Sequence, residues 1–168
     1  MAFDIHPLRA WEVARSEADL PYHSHEQWLD WLLRQERGAI TLFIAWRDGI
    51  AVGHAMLAWN PRGDIYVERA GCPWIYDVLT HPDFRSRGIG TALLRACEAA
   101  AIARGQPIIG IGVSITNTRA RNLYERLGYA DTGLGSQITS GFSTGPDGIT
   151  HMWEEQVQYL TKTLIPTP

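Results

Sequence analysis

The sequence predicts one α/β domain of the α+β kind, with a mixed sheet and helices packed on it. Three observations carry this. Strand-like apolar runs alternate with helical periodicities along the chain. Asp48-Gly49 joins two apolar runs and suits a tight type I′ hairpin turn. Later in the chain, helical stretches lie between successive strands, as crossovers do. At 168 residues, 45% hydrophobic and 20% charged, the chain can bury a real core.

In order, residues 2–8, "AFDIHPL", form a short first strand. Residues 24–38 form a helix: Ser24 can cap it, Gln27 completes a capping box, Trp28, Trp31, Leu32 and Gln35 follow helical spacing, and Gly38 ends it. Residues 41–59 are the hairpin, and "NPRGD" is a loop. Residues 74–80, "WIYDVLT", form a strand that stops at Pro82, which cannot donate to a ladder. From Gly88 to Arg104 the pattern is helical, with Ile89, Leu93, Ala96, Cys97 and Ala100 on one face. "PIIGIGVSI" is a strand, and residues 117–128 are a helix with Ala120, Leu123, Tyr124 and Leu127 in register. Two last strands run to Leu164, joined by the glycine-rich "TSGFSTGPDG". Residues 1–164 make a single domain, and 165–168 are a frayed tail.

Composition narrows the function. A net charge of −3 gives no global pull toward nucleic acid. Cys72 and Cys97 form no C-x-x-C pair, which predicts reduced thiols and a cytoplasmic protein. No apolar run approaches the roughly 18 residues of a membrane span, and the N-terminus carries Asp4, Arg9 and Glu12 rather than a leader's apolar stretch. Neither a membrane nor a nucleic-acid partner is expected.

The most informative stretch is "FRSRGIGTALLRA", residues 84–96. A helix N-terminus presents unpartnered N–H groups at its positive end, and glycines let a ligand approach them. Together these make a phosphate site, to which Arg85 and Arg87 add charge. A plain turn with solvated arginines reads equally well from this stretch alone. A P-loop would need Lys and Ser/Thr after Gly90, and a Rossmann fingerprint would need a small residue where Leu93 stands. What is left is R-x-x-G-x-G, Arg85 to Gly90, after a strand and a proline. A second motif follows one helix and one strand later: Asn117, Ala120, Tyr124, Leu127, Gly128 and Tyr129 in "NTRARNLYERLGY".

These two motifs, at this separation, resemble the GCN5-related N-acetyltransferase (GNAT) family. The resemblance covers about residues 74–130 and is only topological elsewhere. It implies a GNAT-type domain: a six- to seven-stranded, mostly antiparallel sheet, helices on both faces, and fourth and fifth strands that are parallel and splay apart. It implies acetyl-CoA as cosubstrate and no metal. In that arrangement the backbone of Val78, Leu79 and Thr80 pairs with the pantetheine arm, and one N–H faces the thioester oxygen. Arg85, Ser86, Arg87, Gly88, Ile89, Gly90 and Thr91 hold the pyrophosphate. Asn117 contacts the cofactor or braces the bulged strand, compatibly with a helix N-cap.

Tyr124 matches the family's general acid, which protonates the departing thiolate; its position on an apolar helix face also suits a core tyrosine. Asp77 is the choice for general base, with Glu68, His81 and a water chain as alternatives. His23 and His25 form an H-x-H, with His6 and His54 elsewhere; a metal would need further ligands converging, and a loop lining the acceptor pocket is the reading preferred. The acceptor expected is a small-molecule primary amine. A protein N-terminus or lysine, or a non-catalytic acyl-CoA module, stand as alternatives, and a homodimer is admitted but not required.

Overall fold

The structure, a computed structural model, describes residues 3–165. Except for Ile165, the tail lies outside the described residues. Seven strands form one sheet in the order β1-β2-β3-β4-β5-β7-β6. They are β1 (Asp4–Pro7), β2 (Ile40–Arg47), β3 (Ile50–Ala58), β4 (Trp74–Thr80), β5 (Ile108–Ser114), β6 (Ala130–Thr144) and β7 (Thr150–Thr163). The helices are α1 (Val13–Asp19), α2 (His25–Glu36), α3 (Ile65–Ala70), α4 (Ile89–Ala103) and α5 (Thr118–Arg126). None of the described helices is long and apolar enough to cross a membrane.

Alternation along the central strands gives the sheet two buried faces. On β2, Phe43 and Ala45 pack with Leu93, Leu94, Cys97 and Tyr124 from α4 and α5. Leu42 and Ile44 pack the other way, with Val13, Trp28 and Trp31 from α1 and α2. The β2–β3 turn has positive φ at both Asp48 and Gly49, as a type I′ turn requires.

Among the described strands only the β4–β5 pair is parallel, and it is short: Trp74 faces Gly110 and Ile75 faces Ile111. The strands then part. Gly110 is needed at this junction, because a Cβ there would sit 2.0 Å from the Trp74 ring. On its other side β4 bulges against β3 between His54 and Met56, where Asp77 takes a positive φ of 51°. The bulge tips β4 away from β5 at the residues that follow.

Three local features differ from the sequence expectation. A 3-10 turn (Ala10–Glu12) and α1 fill the stretch before α2. Residues 65–70, just past the expected loop, form α3, capped by Asp64, which accepts from the N–H groups of Tyr66 and Val67. Most of "TSGFSTGPDG" is strand: β6 pairs with β7 as far as Thr144–Thr150. Cross-strand pairing there overrides glycine and serine content that reads as loop.

Candidate active site

Beyond the point where β4 parts from β5 lies a cleft of about 1030 Å³, walled by the end of β4, the loop before α4, and α5. It is lined by Val78, Leu79, Thr80, Arg85, Ser86, Gly88, Ile89, Gly90, Thr91, Asn117 and Tyr124. Arg87 is the one expected cofactor residue outside this lining; its guanidinium lies 5.4 Å over the Phe84 ring.

The floor of the cleft is built from backbone. α2, α3 and α5 each carry a side-chain cap: Ser24, Asp64 and Asn117. α4 has none; its N-cap is Gly88, at φ 86°. Ser86 also has a positive φ, 61°. Left-handed residues in such a turn direct successive N–H groups into one concavity, and the helix dipole adds positive potential. The two glycines differ. Gly88 answers a backbone need. At Gly90 no such φ occurs, and a Cβ would meet nothing closer than 3.4 Å. Inside the protein, then, Gly90 has room to spare; what its lack of a side chain leaves open is the cleft.

α5 closes the opposite wall. Asn117 Oδ1 accepts from Ala120 N–H at 3.1 Å, so it is spent as a cap. Arg119, Asn122 and Arg126 also line the cleft, and Arg119 donates to Ser86 Oγ at 3.1 Å. Their i, i+3, i+7 spacing marks one helix face, a signal present in the sequence beside the motif residues. The Tyr124 ring is buried. Burial pushes its phenol up to about 12, so it is protonated at neutral pH and able to donate.

On the other side of β4 three side chains meet. Asp77 Oδ2 lies 3.1 Å from His54 Nε2 and 3.3 Å from His23 Nε2. His54 is fully buried on β3, and its Nε2 donates to Asp77. Burial alone would raise the Asp77 carboxyl, but the hydrogen bond from His54 and the charges of His54 and His23 outweigh it and hold it below its ordinary value. The carboxylate is recessed among these groups, yet a third of the side chain still meets water. His23 is half-buried against Trp31, Trp28 and His54. Sequence reading missed this convergence, because loop, β3 and bulge are far apart in the chain.

The remaining histidines go elsewhere. His25 turns outward to Glu17, at 2.8 Å, whose hydrogen bond and charge raise it above its ordinary value. His6 lies near Asp4 and Glu12. His81 Nδ1 caps the 3-10 turn at Pro82–Phe84 by accepting from Asp83 N–H. Glu68 sits on α3 and accepts from Gly63 N–H. Neither His81 nor Glu68 is committed to the cluster at Asp77.

Comparison with known proteins agrees with this geometry. The family model described as "Acetyltransferase (GNAT) family" matches residues 5–129. An uncharacterized N-acetyltransferase of Methanocaldococcus jannaschii is 30% identical over 115 residues, covering 67% of this chain and 50% of that protein. The chain therefore spans about half the length of that relative. Among solved structures, a putative acetyltransferase of Salmonella typhimurium with its cofactor acetyl-CoA superposes with a TM-score of 0.71 at 15% identity, covering 100% of this chain and 97% of that one. The ribosomal-protein-S18-alanine N-acetyltransferase of Escherichia coli gives 0.68 at 16% identity, covering 99% and 97%. At such identities these two show a shared fold.

Proposed function

The chain belongs to the GNAT family of acetyltransferases, and from that premise we propose that it moves the acetyl group of acetyl-CoA to a primary amine on a small molecule, by direct attack of the amine. One observation carries the reading. α4 is a long helix left without a side-chain cap, and it begins on a glycine loop that opens into the cleft between β4 and α5.

In this reading the amides of Arg85 through Thr91 hold the pyrophosphate, with Arg85 and Arg119 adding charge at the rim and Arg87 acting from farther out. Val78, Leu79 and Thr80 offer the β4 edge that β5 has abandoned, and a backbone N–H there stabilises the oxyanion. Asn117 braces the wall by capping α5. Tyr124 and the cluster around Asp77 divide the proton work. The phenol protonates the departing thiolate, and Asp77 anchors the end of the site where the amine gives up its proton. The acceptor is cationic or neutral; the mildly acidic chain offers no basic run for a polyanion. A cytoplasmic setting goes with this reading, supported by two buried free thiols, Cys72 and Cys97.

The test is a panel of small amines, N-terminal peptides and lysine peptides, followed by free-thiol release, with acetyl-CoA binding measured by calorimetry. Transfer to small amines is expected. Transfer confined to peptides overturns the choice of acceptor, and acetyl-CoA binding with no transfer at all overturns the enzyme.

A further inference from the structure

We propose that His23 is the proton acceptor of the reaction, with Asp77 as the residue that positions its ring and His54 as the brace that positions Asp77. The inference deepens the acetyltransfer reading above and rests on it.

The arrangement begins with the bulge. Asp77 takes a positive φ at the bulge, one residue before Val78, which lines the cleft. His54 comes from β3, fully buried, and its Nε2–H fixes Oδ2 at 3.1 Å. Its other nitrogen is buried and without a partner, so this ring has no route to solvent and serves only to hold the carboxylate. His23 comes from the loop between α1 and α2. Its Nε2 is sealed from solvent and lies 3.3 Å from the same Oδ2 without a completed hydrogen bond, whereas Nδ1 is not among the sealed atoms. A small turn of the ring would complete a bond from Nε2–H to this carboxylate, the arrangement by which a carboxylate selects a tautomer and frees the opposite lone pair. The ring is held edge-on against Trp31 at 4.7 Å between centroids.

Basicity favours His23 over its partner. A general base works best with a pKa near the operating pH, and Asp77 is held below the ordinary carboxylate value. The groups facing His23 are Asp77 from β4, His54 from β3, and Trp28 and Trp31 from α2; its neighbour His25 is taken up by Glu17. Burial lowers its pKa, Asp77 raises it in part, and His54 lowers it further, with the net result below 6.5. The imidazole is therefore neutral at pH 7 and can accept a proton.

The amine lone pair forms the C–N bond to the thioester carbon, and the carbonyl π pair moves to oxygen. The N–H proton passes to His23 Nδ1. The oxygen pair re-forms C=O, the C–S bond breaks, and the thiolate takes the Tyr124 proton. His23 then returns its proton to solvent, from which Tyr124 regains one.

The experiment compares wild type, His23→Gln, His23→Ala and Asp77→Asn. Single-turnover acetyl transfer to the best amine of the panel is measured from pH 5 to 8 and divided by the free-amine fraction. Wild type should lose rate as pH falls through an apparent pKa below 6.5. His23→Gln should lose about 10²–10⁴-fold and this acid limb with it, and added imidazole should restore part of the rate to His23→Ala. Asp77→Asn should keep the limb but move it to lower pH, because the charge that favoured the imidazolium is gone. Unchanged acetyl-CoA affinity by calorimetry shows that the variants are folded and that the cofactor reading stands on its own. A limb that survives in His23→Gln and vanishes in Asp77→Asn overturns the proposal in favour of Asp77 as the base. The three ligand atoms also lie within 4.8 Å of one another, so loss of wild-type rate on chelation and its recovery with zinc would overturn it as well.

Discussion

The two sides of β4 are built on opposite principles. On the α4–α5 side the site is largely backbone: splayed strands, an uncapped helix start, and a turn made left-handed by Ser86 and Gly88. On the α1–α2 side it is side chains: two histidines and an aspartate brought together from a loop, β3 and a bulge. Backbone sites are local and recur with a motif. Side-chain sites are assembled by tertiary packing, and their acceptor chemistry is free to vary while the fold is kept. One scaffold can thus hold an invariant donor and change what it is donated to.

The largest blow to this division comes at Tyr124, the one side chain on which the backbone-built half depends. Tyr124→Phe keeps the ring and should lower single-turnover acetyl transfer about 10²–10⁴-fold, roughly 3–5 kcal/mol of barrier. Acetyl-CoA affinity should hardly change. A fall in melting temperature with full turnover would make it a packing residue only. Second is the junction where the strands part. Gly110→Ala drives a Cβ against the Trp74 ring, and overpacking of this kind costs about 1–3 kcal/mol. Thermal unfolding should show the loss, and acetyl-CoA affinity should fall with it if the cleft depends on that junction.

Third, Gly90→Ala separates ligand from backbone. The added methyl group finds space within the protein, so stability should hold while acetyl-CoA binding weakens on the order of tenfold, read by calorimetry; full affinity in a folded variant would remove the α4 amides from the phosphate site. The smallest effects concern rim charges. Arg85→Glu should weaken acetyl-CoA about tenfold at low salt and Arg87→Glu only about twofold, since Arg87 stacks over Phe84 outside the lining. Both effects should shrink as salt screens exposed charge. Equal losses would mean that Arg87 swings into the cleft when acetyl-CoA binds.

What was legible in the sequence follows the same division. The α4 loop and the α5 motif each lie within a few consecutive residues, so their spacing carried both the fold and the cleft wall. The central strands could be read because their apolar runs are bounded by turn residues such as Asp48-Gly49. Short α3, stabilised by its Asp64 cap and its packing through Val67, fell below any periodicity signal. His23 and His54 could not be assigned. No spacing rule links residues 23, 54 and 77; only the bulge and the packing of α2 on β3 bring them together. The H-x-H at 23 and 25 reads as a loop lining the acceptor pocket, but spacing cannot tell its two members apart: His23 meets Asp77 and His25 meets Glu17.

The hairpin of β6 and β7 has a consequence for hydrogen exchange. β7 is tied to β5 from Val157 onward and to Ile115 N–H at Gln156, but residues 136–155 form ladder pairs only across the hairpin, with Ile138, Phe142 and Met152 each at least 70% exposed. A two-stranded ribbon is marginal on its own. Its amides should exchange through local openings well before those at the β5–β7 seam. The ribbon has one attachment near the site: Ser24 N–H donates to Thr144 C=O, one residue from His23. Each opening that reaches Thr144 releases that bond, leaving the loop held by the Ser24 cap on α2 and by the packing of His23 on Trp31.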